Sequence, residues 1–402
     1  MGNYPNQRLK LTNGIIFYQK SISDSYLTGI SFRLYFISQD SVGLPHLLEH
    51  VLTHCSNMPD YISIDGHTNT KYISINILGM SDEDYFGAID TFFDFLINFN
   101  VVDADLEIEK KVVIQEINQY LSSSLERFAT ISRNISFRSN DVFSDPILGS
   151  EDIVASVSVK ELSQFLKQTL YPDNIVIFAT GRESALKRIK SAVSKIDFPK
   201  QNSINITSRT REDSLSIDTG NHDLNRMEKA RTAYVSLVYN LCSSEVDEIK
   251  IASLSFLFSV LNNGKNSILT SLHKKIPKLY FVFANPVVRG NRIYLQILTS
   301  CTSSDVTKVS KYISAYFKSI SHLSKVEVAD TIKNVLFNRM LQFDGAEKSI
   351  DSFSKMIFGE EDVNKGAFDD HDQIFDEFEK FVNYLNRQTC SSVVYYLRGA
   401  EK

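Results

Sequence analysis

Residues 28–38 read TGISFRLYFIS, and residues 232–242 read TAYVSLVYNLC. Both are β-branched, aromatic-rich runs with alternating apolar and polar positions, the period of a strand with one face buried. The segments after the two runs are also alike. A helical stretch comes next, then strand-like residues at 71–78 in the first half and at 279–284 and 292–299 in the second. An amphipathic helical pattern succeeds them, DYFGAIDTFFDFLINF at 84–99 and VTKVSKYISAYFKSISH at 306–322, and then longer helical regions around 107–135 and 329–358. Each half closes on an apolar strand ending in glycine, NIVIFATG at 174–181 and SSVVYYLRG at 391–399. The same order of signals, met twice, predicts two homologous halves. Strands and helices mix without strict βαβ alternation. The predicted class is therefore α+β, two sandwich domains with helices packed on a mainly antiparallel sheet. The polar stretch at 200–214 (KQNSINITSRTREDS) has no aromatic residue and reads as a linker between 1–199 and 215–402.

A chain of 402 residues, 43% hydrophobic and 23% charged, is ordinary globular material large enough for two domains. Its 43 basic and 48 acidic residues leave a net charge of −5, which argues against binding nucleic acid or an acidic membrane by bulk charge. No apolar run has the length of a membrane span, and the opening residues MGNYPNQRLKLTNG lack a secretory apolar core. Cys55, Cys242, Cys301 and Cys390 lie far apart, as reduced thiols of a cytoplasmic protein would.

The chemistry concentrates in Ser41-Val-Gly-Leu-Pro-His-Leu-Leu-Glu-His50. Gly43 and Pro45 suit a loop turning into a helix. On that helix His46 and His50 project from one face, a turn apart, with Glu49 beside them. Two neutral imidazoles at this spacing can bind one Zn²⁺, and His-x-x-Glu-His is the inverted zinc motif of metallopeptidases. His50 and His54 form a second pair at the same spacing but without a carboxylate where a base would stand, and Cys55 reads as packing. A catalytic zinc needs a third protein ligand and an open position. Glu109 and Glu116 are seven residues apart on a predicted helix and share a face, with Val112 and Val113 between them for packing. One can ligate the metal while the other holds a ligand histidine or the bound water.

The segments 41–55 (SVGLPHLLEHVLTHC), 65–70 (DGHTNT), 107–117 (EIEKKVVIQEI) and 145–181 together resemble the pitrilysin, insulin-degrading-enzyme and mitochondrial-processing-peptidase family of zinc peptidases. The resemblance is dense from about residue 10 to 185 and thinner beyond 215. It implies one Zn²⁺ per chain held by His46, His50 and Glu116, with Glu49 as general base and Glu109 as the supporting carboxylate. It also implies a substrate-binding role for Asn69, at the start of an edge strand near 70–75 to which an extended peptide would add. Asn69 also reads as a turn residue beside Gly66. The span from His50 to Glu116 is shorter than is usual in the family.

Members of the family enclose a chamber with four such halves, so a two-half chain implies a dimer. The expected function is a zinc metalloendopeptidase, or its catalytic subunit, hydrolysing peptides or leader and targeting segments. The alternatives are a noncatalytic scaffold that kept the fold and a zinc-storage protein. In the second half the family carries an arginine seven residues before a tyrosine. Here Tyr280 is present, but His273 stands at the arginine position. Histidine lacks arginine's permanent charge and multi-donor fork. The expected partner is therefore a homologous, zinc-free subunit supplying that pair, with a homodimer second.

Overall fold

The structure is a computed structural model, and it describes residues 7–36, 42–54, 58–69, 71–136, 147–199, 220–224, 230–242, 248–263, 266–289, 292–327, 331, 333, 345–355, 371–388 and 390–397. The linker 200–214, Cys55 and Thr70 lie outside them.

The chain forms two compact units. In the first, six strands make one sheet: β1 (Gln7–Lys10), β2 (Ile16–Ser21), β3 (Leu27–Tyr35), β4 (Ser63–Thr68), β5 (Tyr72–Met80) and β6 (Ile175–Gly181), in the order β1-β2-β6-β3-β5-β4. Only β2 and β6 run parallel; the other neighbours are antiparallel. The helices of this part of the chain are α1 (Leu44–His54), α2 (Glu83–Asn98), α3 (Asp103–Ser122), α4 (Ser124–Ser136), α5 (Glu151–Ser156), α6 (Val159–Thr169) and α7 (Glu183–Lys195). The alternation in 28–38 does what its period requires. Ile30, Phe32 and Leu34 face a core in which Phe32 meets Phe92 and Phe93 of α2 edge-on, at 5.9 and 6.1 Å between ring centres.

The second unit holds β7 (Asn221–Leu224), β8 (Thr232–Cys242), β9 (Phe281–Arg289), β10 (Arg292–Thr302) and β11 (Ser391–Tyr396) in the order β7-β11-β8-β10-β9. Its helices include α8 (Glu248–Asn262), α9 (Ile268–His273), α10 (Val306–Ile320) and the helix His371–Leu385. Again one pair, β7 with β11, is parallel and the rest are antiparallel. Setting β1 aside, the two orders correspond strand for strand: β2 with β7, β6 with β11, β3 with β8, β5 with β10 and β4 with β9. The α+β class and the mainly antiparallel sheets agree with the sequence reading.

Neither unit is a continuous piece of chain. The first comprises Met1–Ser122, Asp145–Arg211 and Arg339–Val363, and the second takes Ser123–Ser144 with Glu212–Asn338 and Asn364–Lys402. Thus α4 packs on β8 and β11 of the second unit, where Phe128 stacks against Tyr234 and Tyr395. The helix Ala346–Lys355 packs on β3, β5 and β6 of the first, burying Ile350 against Val176 and Phe178.

Candidate metal and active site

The turn into α1 is built on a close approach of backbones. Gly43 has φ +79°, and a Cβ placed on it would stand 3.2 Å from Gly149 Cα. Pro45 sits in the first turn, where its missing N–H costs nothing. α1 is buried from Pro45 to Thr53, with His46, Glu49 and His50 all inside. α3 crosses it and presents the buried Glu109 and the half-exposed Glu116, while Val113 between them is fully buried. Val112, expected to pack alongside, is 36% exposed. Neighbouring helical positions diverge by about 100°, so only one of the two valines can face the core.

The two helices bring the predicted carboxylates and imidazoles together. His46 Nε2 and His50 Nε2 stand 3.6 and 3.5 Å from the same Glu116 oxygen, Oε2, and His46 Nε2 is 3.7 Å from Glu49 Oε2. These separations are too long for good hydrogen bonds. They match ligands held ~2.0–2.2 Å from one tetrahedral ion, which stand roughly 3.3–3.6 Å apart. His46 Nδ1 is buried without a hydrogen-bond partner among the described residues. Two imidazoles and a carboxylate are the donor set of a catalytic zinc, so the residues fit that ion.

Glu109 supports from behind. Its Oε2 is 3.4 Å from His50 Nδ1 and 2.8 Å from His54 Nδ1. Glu49 is backed by β4, where Thr68 Oγ1 donates to Glu49 Oε2 at 3.3 Å. A Cβ on Gly66 would overlap that carboxylate, so the bare backbone there leaves it room. Burial pushes Glu49 up to about 7, against the Thr68 hydrogen bond and with help from the carboxylates of Glu116, Asp65 and Glu109. Burial, and then the neighbouring His50, pull His46 down to about 4. The imidazole is thus neutral at pH 7, the form that binds a metal.

One expectation needs correction. The strand proposed as the substrate edge, near 70–75, is not an edge: β5 is hydrogen-bonded to β3 on one side and β4 on the other. Among the described residues the edge on this side of the sheet is β4, the strand that carries Gly66 and Thr68. Asn69 sits in the turn after it, with Oδ1 accepting from the Lys71 N–H at 2.8 Å and the Tyr72 N–H at 3.0 Å. Its carboxamide oxygen is therefore occupied in closing the hairpin. Tyr280 lies in the second unit just before β9, 64% exposed, with its N–H donating to the Ser300 carbonyl. His273, at the end of α9, is also exposed. Thr68 and Asp65 escaped the sequence reading. For Thr68 the signal was its place two residues from Gly66, on the same face of β4, which has meaning only once that strand is known to lie over Glu49.

Residues 156–335 match a family model described as the peptidase M16 inactive domain. No curated protein matches the chain. Among solved structures, a protease from Helicobacter pylori shares 12% identity at a TM-score of 0.74, covering 97% of this chain and 99% of that one. A peptidase M16 inactive domain from Pseudomonas fluorescens shares 12% at a TM-score of 0.72, with 98% of each chain covered. A chain of Complex III2 from Candida albicans, solved with Inz-5 bound, shares 12% at a TM-score of 0.70, covering 97% of this chain and 95% of that one. At such identities the likeness is one of fold. The matched family span begins beyond Glu116, so its description does not bear on residues 46–116. Residues 156–335 thus resemble the peptidase M16 inactive domain, and nearly the whole chain shares its fold with these solved structures.

Proposed function

We propose that this chain is a zinc-dependent endopeptidase, the catalytic subunit of an assembly that hydrolyses peptides or leader and targeting segments in a chamber closed by a second subunit. The observation that carries the reading is the approach of His46 Nε2 and His50 Nε2 to one Glu116 oxygen at ligand-to-ligand distances. A zinc ion in such a set supplies Lewis-acid polarisation of the scissile carbonyl and acidification of water. The remaining work falls to the chain. Glu49 takes the proton of the attacking water and passes it to the leaving amine. Thr68 orients Glu49 by its hydrogen bond. Glu109 accepts from His50 Nδ1–H and so keeps Nε2 free to ligate. An extended peptide pairs with the free edge of β4, which runs past Glu49.

The partner is a homologous, zinc-free subunit that supplies an arginine where this chain has His273, beside the equivalent of Tyr280; a second identical copy is the other candidate. The similarity in fold to a chain of a multi-subunit assembly, Complex III2, is in keeping with a subunit role. A second reading, a noncatalytic scaffold that kept the fold, draws on the match of residues 156–335 to a model described as an inactive domain, a span that leaves out the residues of the candidate site. Metal analysis and peptide hydrolysis, with the chain alone and mixed with a related partner, separate the two. The first reading expects one tightly bound zinc per chain, weak cleavage alone and strong cleavage in the mixture. A chain that takes up zinc but cleaves nothing in either arm is a scaffold.

A further inference from the structure

The histidines of α1 and the glutamates of α3 form a ladder with two rungs, and the proposed reaction leaves His54 of the second without a role. His46, His50 and His54 recur every four residues along α1, with ring centres 4.7 and 5.5 Å apart. Glu109 and Glu116, two turns apart on α3, each face one pair. Glu116 Oε2 lies 3.6 and 3.5 Å from the His46 and His50 Nε2 atoms, and Glu109 Oε2 lies 3.4 and 2.8 Å from the His50 and His54 Nδ1 atoms. The ligand atoms of His50, His54 and Glu109 all fall within 4.8 Å of one another, as those of a shared ion must. His50 belongs to both rungs and turns a different nitrogen to each.

We propose that His54 and Glu109 form a second, weaker site for a divalent ion of the zinc class, beside the first and in opposition to it. The inference rests on the reading that the first rung binds zinc. Three features set its character. His54 has 54% of its side chain exposed, so an ion can enter from solvent, whereas Glu109 is buried and already oriented. The 2.8 Å separation of His54 and Glu109 is a hydrogen bond, shorter than the roughly 3.3 Å between ligands of one zinc ion, so loading must first part them. An ion there also takes the Glu109 oxygen that holds His50 Nδ1. Loss of a supporting carboxylate weakens a zinc site by ~10–100-fold, and the two ions oppose each other by about that factor.

The test is a titration of the metal-free full chain with zinc alone, bound metal being read by equilibrium dialysis. The expected wild-type result is two equivalents, the second bound ~10–100-fold more weakly than the first. His54→Asn should bind a single tight equivalent, and so should His54→Arg, which offers no ligand atom at all. Excess zinc should slow peptide hydrolysis by the wild-type assembly but not by its His54→Asn counterpart. Glu116→Gln should lose the tight equivalent and keep the weak one. A wild type that saturates at one equivalent, or a second equivalent that survives both His54 substitutions unchanged, would overturn the accessory site. If Glu116→Gln instead keeps the tight equivalent, it is the reading of the first rung that fails.

Discussion

Glu49 and His46 are one turn apart on a buried helix, and burial acts on them in opposite senses: the carboxyl is held near 7 and the imidazole near 4. In the metal-free chain this has a signed consequence. Between pH 6.5 and about 4 the unfolded chain binds a proton at His46 that the fold refuses, so acidification costs stability. Between about 7 and 4.5 the fold binds a proton at Glu49 that the unfolded chain does not, so acidification adds stability. The two effects offset each other where they overlap. Glu49→Gln removes one of them, and chelated Glu49→Gln should lose stability relative to chelated wild type as pH falls from 6.5 to 4.5, by up to ~1.4 kcal/mol per pH unit. Urea unfolding across that range measures it, and parallel profiles would refute it. The same substitution should leave zinc content intact while lowering turnover by at least ~100-fold, the lower end of what a positioned general base contributes. Near-wild-type hydrolysis by Glu49→Gln would remove Glu49 from its role. Thr68→Val keeps shape but loses the hydrogen bond to Glu49, and should lower kcat with zinc binding unchanged.

Among the elements, α2 shows how local chemistry sets a boundary that packing then uses. Asp82 caps it, its side chain accepting from the Tyr85 N–H at 3.0 Å, and Glu83 and Asp84 sit in the first turn, where the helix dipole favours negative charge. This capped start places Tyr85 so that its hydroxyl donates to the Ile77 carbonyl of β5 at 3.1 Å. Asp82→Ala should cost about 1 kcal/mol, read as a lower unfolding midpoint with unchanged zinc affinity. An effect on metal binding of similar size would mean that α2 also shapes the site. β4 is the contrasting case. Its residues, SIDGHT, are short and weakly strand-forming, and nothing in them marks a sheet edge. Edge or interior is decided by what pairs on the far side, and β5 has both its neighbours while β4 has one.

In the molecule as a whole, the exchange of segments makes each unit depend on distant chain. The helix Ala346–Lys355 covers the first unit's sheet, where Ile350 Cγ1 lies 2.6 Å from where a Cβ on Gly29 would be. Only a glycine lets the helix seat that closely. Ile350→Ala should cost ~2–5 kcal/mol, the range for emptying a buried aliphatic site. Because Ile350 packs on Val176 and Phe178, hydrogen exchange in β6 should report the loss, although residue 350 comes after the whole of β8 to β10 in sequence. Exchange unchanged in β6 would show that the helix is not part of that core. Local rules carried far in this chain. The two alternating runs, the capped amphipathic helices and the His46–Glu49–His50 spacing on α1 are set within a few residues by period 2 or 3.6, and so were legible in order along the sequence. The Glu109–Glu116 spacing was legible for the same reason. The tertiary structure alone decided that β4 is the open edge, that Glu109 bonds His54 more closely than His50, and that two helical segments change units. Each of those depends on which distant segments share a sheet face or a helix crossing, and that is set by burial and hydrogen-bond pairing across the fold rather than by any periodicity in the chain.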